Sequence, residues 1–303
     1  MSEPPSAPLR VRCRAIRDDD REAILNLFAK SGFGGTREFW DGALQRLGEH
    51  ATPPGFPKYG YLLEINGAVA GMLLLIASTV TIDGRPRLRC HVSCWYVWPA
   101  FRAYATLLVS QALKHKEATY YNISPLPHTI DMLTAQGYTR YCEGRFTALP
   151  ALKLHAPKVR ITVARPGILM PGDDLPADEI ALLLKHARYD CLSLVVAHDG
   201  RRLPFVFEPV KKNRFLRIAY LVYCRDIADF VAVAGPLGRF LARRGFACVS
   251  LDANGPVAGL LGRYAEATPK FFKGPERPRL GDLAYSERAV LYLRFGPQVG
   301  KDE

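Results

Sequence analysis

The sequence predicts a mixed α/β fold in which one supersecondary unit occurs twice along the chain. Apolar runs flank an Asn66-Gly67 dipeptide, and about 130 residues later they flank an Asp199-Gly200 dipeptide. Both dipeptides favour the tight two-residue turn of a β-hairpin. After each hairpin the apolar spacing predicts a strand, a helix and a further strand. We therefore predict an α+β mixed sheet in each of two tandem domains, residues 1–150 and 151–303.

The elements of the first copy follow from local signals. Alternation over 11–17 predicts a strand, and three aspartates at 18–20 supply acids at the positive end of a helix over 21–31. Apolar residues at helical spacing predict a second helix over 36–47. The remaining predicted elements are hairpin strands within 61–79, a strand over 88–97, a helix over 102–116, a strand over 118–124, a short helix over 128–135 ended by Gly137, and a strand over 138–146.

The second copy repeats this order. A strand is predicted over 159–164, and a proline at 176 marks the first turn of a helix over 177–187. The remaining predicted elements are hairpin strands within 192–210, a strand over 215–224, a helix over 229–243, a strand over 246–252, a loop over 273–288 and a last strand over 289–295.

In each copy a helix joins two strands, which must then lie parallel within an otherwise antiparallel sheet. Such a sheet is expected to splay where the parallel pair begins. The connecting helix then directs its N-terminus into the gap, and a helix N-terminus in a cleft attracts anions.

Composition sets the class of protein. The 303 residues are 49% hydrophobic and 23% charged, which are globular values. The N-terminus has no signal-peptide pattern, and the most apolar run, 68–80, is too short to span a bilayer. We expect a cytoplasmic protein without a membrane partner.

The seven cysteines are scattered and odd in number, which indicates reduced thiols. Cys90, His91 and Cys94 are close in sequence, but no second pair of ligands at suitable spacing lies nearby. Strand alternation would also direct His91 away from both thiols. We therefore expect no metal site.

The net charge of +12 would attract polyanions such as a phosphorylated cofactor. The basic residues are dispersed, and no interleaving of aromatic and basic residues marks a strand-binding face. This argues against a nucleic-acid partner. Dispersed solvated charge on the surface is the alternative reading of the excess.

Two segments of the first copy carry a family resemblance. Residues 97–102 read Val-Trp-Pro-Ala-Phe-Arg at the end of a strand, and 132–138 read Met-Leu-Thr-Ala-Gln-Gly-Tyr. With the order of elements, the first segment resembles the strand and phosphate-binding loop of the GCN5-related N-acetyltransferase (GNAT) superfamily, and the second resembles the Tyr-x-x-x-Gly-Phe stretch that follows in that family. The resemblance covers about 260 residues as architecture and about 50 as motif. It implies two tandem GNAT-like domains, of which the second is degenerate.

The resemblance implies acetyl-CoA or another acyl-CoA as the cofactor, with an amine of a small molecule or peptide as acceptor. The backbone at Tyr96 and Val97 would pair with the pantetheine arm, and Asn122 is the nearest polar residue on the following strand. The pyrophosphate would lie on the helix start, whose residues are Arg102, Ala103, Tyr104, Ala105, Thr106 and Leu107. This loop has alanine and leucine where the family favours glycine, and Leu133 stands where many members have a tyrosine acid.

The resemblance also suggests catalytic residues. His91 lies where some members place the carboxylate of a general base, and His128 is an alternative acid or substrate contact. Cys94 is a candidate nucleophile for a covalent variant, and Trp95 is a candidate substrate contact. Each of these residues also has a structural interpretation. His91 would be a hydrogen-bonded strand histidine, and His128 a polar residue at a helix start. Cys94 would be a buried thiol, and Trp95 an aromatic side chain that packs in the core.

The second copy lacks the phosphate-loop pattern, because its helix begins with Asp226 and Asp229. We expect it to have a structural or substrate-shaping role, with Arg277 and Arg279 as candidate contacts to an acidic substrate. The sequence thus predicts an acyltransferase that acts by direct attack in a ternary complex. The alternative is a catalytically silent module that binds CoA, a metabolite or a protein.

Overall fold

A computed structural model describes residues 9–82, 84–155, 157–169, 175–211 and 216–292. The chain divides into two compact units, Met1–Tyr121 and Asn122–Glu303. Each unit contains helices and a sheet with both parallel and antiparallel strands, so the predicted mixed α/β class is confirmed.

The first unit contains a sheet with the strand order β1-β2-β3-β4-β5, in which only β4 and β5 are parallel. Its elements are β1 (Val11–Ala15), α1 (Arg21–Ser31), α2 (Arg37–Gly48), β2 (Gly60–Ile65), β3 (Ala68–Ile82), β4 (Arg85–Val97), α3 (Ala105–Ala112) and β5 (Thr119–Asn122), the last of which crosses the unit boundary by one residue.

Local signals explain where the first two helices begin and end. Gly32 adopts a left-handed backbone (φ 75°) and ends α1, as glycine does at many helix C-termini. The Thr36 hydroxyl accepts a hydrogen bond from the Phe39 amide and caps α2. The apolar faces of both helices are buried with the near-continuous apolar run of β3, which forms the core of this unit.

The predicted hairpins are confirmed in both units. Asn66 and Gly67 have positive φ values of 52° and 82°, and Asp199 and Gly200 have values of 47° and 72°. A turn with two left-handed residues matches the twist of the strands that it connects.

The helix predicted over 102–116 is shorter in the structure. A 3-10 helix, Pro99–Tyr104, comes first, and α3 runs only from Ala105 to Ala112. Tertiary contacts of His115 explain the early end, since its ring stacks on Phe56 and its Nε2 lies 3.0 Å from the Gly55 carbonyl oxygen.

The second unit contains a sheet with the order β12-β6-β11-β10-β9-β8-β7, in which β10 and β11 are parallel. Its elements are α4 (Ile130–Ala135), β6 (Thr139–Ala148), β7 (Arg160–Val163), α5 (Ala177–Arg188), β8 (Leu192–His198), β9 (Arg201–Lys211), β10 (Arg217–Cys224), α6 (Ile227–Ala242), β11 (Phe246–Ala253), β12 (Gly262–Lys273) and α7 (Glu287–Val290).

The unit boundary differs from the one expected from the sequence at 150/151. Strand β6, predicted to close the first copy, pairs antiparallel with β11 and with β12. A strand takes its place from its hydrogen-bonding partners, and those of β6 lie more than 90 residues ahead in sequence. No local sequence pattern predicts that pairing.

The end of the chain also differs from expectation. The predicted strand over 289–295 is wrong over its described part, because Glu287–Val290 forms the short helix α7. Residues 293–295 lie outside the described residues.

Two further features are the length of the apolar helices and the state of the cysteines. No helix among the described residues has the length and apolar character needed to cross a bilayer. The seven cysteines are thiols that are not joined in disulfide bonds.

Candidate functional site

The parallel strands of the first unit separate where the sequence predicted a cleft. Strands β4 and β5 are paired at Arg89↔Thr119, Cys90↔Tyr120 and His91↔Tyr121. Beyond His91, β4 continues to Val97 with β3 on one side, while its pairing with β5 has ended. One edge of β4 therefore opens over its last six residues, from Val92 to Val97.

Backbone alternation shows which residue directs its amide and carbonyl groups to the open edge of β4. The Trp98 amide donates to the Ala70 carbonyl oxygen of β3 at 2.9 Å. Successive strand residues direct their amides to opposite edges, so Val97 faces away from β3 and Tyr96 faces toward it. Of the two residues expected to pair with a ligand, only Val97 thus presents its backbone to the cleft.

A β-bulge lies within the open part of β4. Met72 pairs with Tyr96 and Leu74 pairs with Ser93, so Leu73 faces both Cys94 and Trp95. Cys94 has a φ of 51°, a left-handed conformation that is uncommon outside glycine. Bulges of this kind redirect side chains next to functional sites. This bulge could not be predicted from the sequence, because a glycine would mark such a position and a cysteine does not.

Cys94 is half-buried, and its Sγ lies 3.4 Å from the Ser93 Oγ. Its neighbour Trp95 is also half-buried. The bulge thus places both candidate residues, Cys94 and Trp95, opposite Leu73 of β3.

His91 lies at the base of the cleft. It belongs to the last pair of β4 with β5, is 1% exposed, and its ring centroid lies 4.8 Å from that of Tyr121. The guanidinium of Arg89 also lies over the Tyr121 ring, 5.0 Å from its centroid. The imidazole is therefore enclosed by the strand pair just before the two strands separate.

The predicted phosphate-binding residues follow the open strand end. Arg102, Ala103, Thr106 and Leu107 are exposed, and Tyr104 and Ala105 are half-buried. Within the 3-10 helix the Phe101 amide donates to the Trp98 carbonyl oxygen, and the Ala105 amide donates to that of Arg102. Two backbone amides at the predicted phosphate-binding segment, those of Phe101 and Ala105, are thus already hydrogen-bonded within the chain.

Aromatic and basic groups from α1 and the following loop cover this strand end. The Tyr96 hydroxyl donates to the Lys30 carbonyl oxygen at 3.1 Å, and the Phe33 ring meets the Tyr96 ring edge-on. The Lys30 ammonium lies 4.9 Å from the Trp98 ring centroid. The sequence analysis named Tyr96, and Trp98 as part of the motif at 97–102, but missed Lys30 and Phe33. These two lie more than 60 residues earlier and reach the strand end only through folding.

The other candidate residues belong to the second unit. Asn122, the last residue of β5, is half-buried, and His128 is exposed in a 3-10 helix before α4. Arg277 and Arg279 are exposed in the loop after β12. The structure therefore brings together the candidates on β4 and at the start of α3.

The second unit has a corresponding divergence of strands. The pairing of β10 with β11 ends at Tyr220↔Ser250, while β10 continues to Cys224. In this unit a later segment of the chain binds to the part of β10 that β11 leaves unpaired. The Cys224 amide donates to the Gly281 carbonyl oxygen at 2.9 Å, and the Leu283 amide donates to the Val222 carbonyl oxygen at 2.8 Å.

We call residues 281–291 the strap. Since β9 pairs with the opposite edge of β10 up to Cys224, the strap must occupy the edge left open by β11. The Tyr285 amide of the strap donates to the His186 Nε2 at 3.1 Å, and Arg288 forms a fully buried ion pair with Glu208 at 2.8 Å. The apolar side chains of the strap are buried as well.

Arg279 stabilises the entry to the strap. It donates to the Cys224 carbonyl oxygen, pairs with Asp282 at 3.1 Å, and lies 5.3 Å from the Tyr223 ring centroid. All of these contacts lie within the second unit.

Among the described residues no cluster of three or more histidine, cysteine or acidic side chains is arranged to hold a metal ion. Burial raises the pKa of the Cys90 thiol, and the environment of Cys13 raises its pKa to about 11 for the same reason. Both thiols are therefore protonated at neutral pH.

Solved structures show what this architecture resembles. A probable N-acyltransferase from Enterococcus faecalis V583 aligns with 90% of this chain and 73% of its own, at 11% identity and a TM-score of 0.57. A GCN5-related N-acetyltransferase from Anabaena variabilis aligns with 92% and 75%, at 10% identity and 0.57. A putative acetyltransferase from Pyrococcus horikoshii aligns with 91% and 93%, at 12% identity and 0.53.

No protein-family model matches the sequence, and no curated protein matches it. At these identities the structural likeness concerns the fold. The splayed parallel pair, the bulged strand and the helix that follows it lie in an architecture shared with acetyltransferases: this chain has the GCN5-related N-acetyltransferase fold.

Proposed function

We propose that the first unit binds an acyl-CoA in the cleft beside β4 and transfers the acyl group to an amine. One observation carries this proposal. Strand β4 runs six residues beyond its last pair with β5, and a helix begins beyond the end of that open edge. An extended ligand with a phosphate group at one end fits a free strand edge that leads to a helix N-terminus.

The chain provides suitable groups for such a cofactor. The backbone of Val97 is directed to the open edge and would pair with an extended amide-containing arm. The exposed guanidinium of Arg102 and the start of α3 would hold phosphate groups. Acyl-CoA supplies an activated thioester carbonyl when it is bound.

The residues of the chain orient the acceptor and move its proton. His91, at the base of the cleft, would accept the proton of the amine through an intervening water, since the ring itself is enclosed. The half-buried Trp95 and the aromatic group around Tyr96 would shape the acceptor side of the site. His128 stays an alternative acid or substrate contact, and Cys94 stays the nucleophile of a covalent alternative.

A second candidate function is a binding module without catalysis. The 3-10 helix before α3 favours it, because hydrogen bonds within the chain already use the amides of Phe101 and Ala105. An amide that is bonded internally contributes less to phosphate binding. Such a module would bind CoA or a related metabolite and would release no thiol.

Thiol release from acetyl-CoA with a panel of amines tests the proposal. We expect release with at least one amine, and we expect His91→Gln to lower turnover by about 100-fold because a general base contributes that much or more. The increase of turnover with pH that a histidine base produces should also disappear in this variant. Cys94→Ala should keep most of the turnover, since direct attack needs no thiol.

His50→Gln is the matched control, because His50 is another buried histidine of the first unit and its Nε2 contacts Ala77 and Ser78 in β3. It should keep turnover once its stability is taken into account. Unchanged turnover in His91→Gln would contradict the role of that residue. A rise in melting temperature with acetyl-CoA but no thiol release would indicate the binding module, and no rise at millimolar ligand would exclude both functions.

A further inference from the structure

A buried histidine of the second unit bonds the strap to helix α5. His186 lies near the C-terminal end of α5 and is 0% exposed. Its Nδ1 lies 2.8 Å from the Leu182 carbonyl oxygen, and its Nε2 accepts a hydrogen bond of 3.1 Å from the Tyr285 amide. A carbonyl oxygen only accepts and a backbone amide only donates, so the ring carries its proton on Nδ1 and none on Nε2. This contact with the strap therefore requires a neutral imidazole.

The backbone of Tyr285 is strained at the same contact. Its φ is 57°, a left-handed conformation that is uncommon for a bulky side chain. A residue in this conformation keeps it only where its surroundings enforce it. Here His186 bonds the Tyr285 amide, and the centroids of the two rings are 4.9 Å apart. His186 thus holds the strap at a strained position.

The elements around His186 carry further ionisable groups. Strands β8 and β9 lie against α5, and the strap contacts the end of the helix. Four carboxylates of these elements are bonded to other side chains, Glu179 to Arg225, Glu208 to Arg288, Asp282 to Arg279 and Glu287 to Ser124. The other ionisable groups of this region are Asp178, Lys185, Tyr189, Cys191 and Tyr285.

Histidine is the residue type in this set that ordinarily changes charge between pH 5 and pH 7. Carboxyl groups titrate near about pH 4, and thiols, phenols and ammonium groups titrate above about pH 8. Burial first, and then the charge of Asp178, raises the pKa of Tyr285 to about 12, so this hydroxyl stays neutral. A mildly acidic pH therefore acts on the strap through His186.

We propose that protonation of His186 at mildly acidic pH releases the strap from β10 while the rest of the second unit stays folded. A proton on Nε2 would oppose the hydrogen of the Tyr285 amide, so this bond would be lost and the strained backbone would relax. The Leu283 amide, which donates to the Val222 carbonyl oxygen of β10, is only two residues away. Release would open the edge of β10 that the strap covers. The inference is independent of the acyl transfer proposed for the first unit.

Hydrogen exchange of the full chain at pH 7 and pH 5 tests this proposal. The released state takes up a proton near about pH 6.5 and the closed state does not, so acid favours release, by about 25-fold between these two pH values. After correction for the chemical exchange rate, the Tyr285 and Leu283 amides should lose protection by about that factor. The Leu149 amide, which donates to the Leu261 carbonyl oxygen in the same unit, should change less than about twofold.

His186→Gln removes the titrating group and keeps an acceptor, because the amide oxygen of glutamine can bond the Tyr285 amide. In this variant the loss of protection at pH 5 should shrink to less than about twofold. His198→Gln is the matched control, since His198 is another histidine of this unit and its Nε2 lies 3.3 Å from the Asp199 carboxylate. It should keep the full loss.

Three results of the exchange experiment would overturn the proposal. They are protection of Tyr285 that does not depend on pH, the full loss of protection in His186→Gln, and an equal loss at Leu149, which would mean that acid unfolds the whole unit. Nitrogen-15 spectra of the wild-type histidines provide a test that needs no variant. We expect Nε2 of His186 to be unprotonated at pH 7 and to take up its proton as Tyr285 loses protection. A protonated Nε2 beside a protected Tyr285 amide would also overturn it.

Discussion

At the scale of single residues, the left-handed conformation of Cys94 is the clearest departure from an ordinary strand. A non-glycine residue at a φ of 51° costs about 1–3 kcal/mol and persists only where the surroundings enforce it. Here the bulge enforces it, at the position where β4 has left β5. The backbone distortion and the open edge therefore coincide, which is why we assign the site to this end of the strand.

A second residue-scale feature is the ion pair that fixes the entry to α1. The Arg14 guanidinium bonds both carboxylate oxygens of Asp20, at 2.6 and 2.7 Å, and the Arg17 amide donates to the same carboxylate at 2.8 Å. Hydrogen bonds from Arg14 first, and then from the Arg17 amide, hold the pKa of Asp20 below its usual range.

We predict that Asp20→Asn lowers the free energy of unfolding by about 2–3 kcal/mol at neutral pH, because a charged and partly buried pair loses one partner. A carboxyl group whose folded pKa is depressed stabilises the fold above its unfolded pKa, near about 4, and loses that effect as the pH falls. The difference between wild type and variant, measured by urea unfolding, should therefore be full at pH 6–7 and shrink below about pH 4.

Asp19→Asn is the control, since Asp19 is exposed. It should change stability by less than about 0.5 kcal/mol. A difference for Asp20→Asn that stays constant down to pH 3 would show that the charge of the carboxylate contributes nothing.

At the scale of elements, the strap marks a structural difference between the separating parallel pairs of the two units. Both contain a parallel pair that separates, but in the second unit the strap bonds to the free edge of β10. A strand edge that is already paired cannot pair with a ligand. The second unit is therefore closed by its own chain at the position where the first unit is open.

Gly281 is the residue on which this closure depends. It has a φ of 77°, and a side chain there would come within 2.8 Å of the Cys224 Sγ and 2.9 Å of the Ile227 Cδ1. We predict that Gly281→Ala destabilises the strap by about 2–4 kcal/mol, from backbone strain together with overpacking. Hydrogen exchange at the Leu283 amide, which donates to Val222, should become faster to match.

Gly167→Ala provides the comparison, because Gly167 has a similar φ of 81° and nothing within 4 Å of an added carbon. It should show only the backbone cost, about 1 kcal/mol. If the two variants behaved alike, the close approach of the strap to β10 would be refuted.

The sequence alone predicted the elements that depend on short-range chemistry. The Asn66-Gly67 and Asp199-Gly200 turns fixed both hairpins, since two left-handed residues in a row permit little else. Gly137 with its φ of 81° ends α4 as expected. The parallel pairs followed from the helices that connect them.

Long-range pairing was beyond the reach of the sequence. Nothing near β6 indicates its bonds to β11 and β12, and nothing near Gly281 indicates that it contacts Cys224. The end of the pairing between β4 and β5 lies in the strand where the sequence predicted a cleft, but the 3-10 helix that precedes α3 and the bulge at Cys94 depend on packing that no local pattern encodes.

At the scale of the whole molecule, the central claim is that one cleft in the first unit binds acyl-CoA although the chain has two units with similar strand order. Ala105→Asp probes it at the first residue of α3. An acid there favours the helix, so the fold should be kept, but it repels phosphate groups. Gln111→Asp, an exposed position in the last turn of α3, is the matched control.

Calorimetric titration of the full chain with acetyl-CoA tests this claim most directly. We expect one molecule bound per chain, an affinity about tenfold lower in Ala105→Asp, and no such loss in Gln111→Asp. Two molecules per chain, no binding at 1 mM ligand (about −4 kcal/mol at best), or equal affinities in the two variants would contradict it.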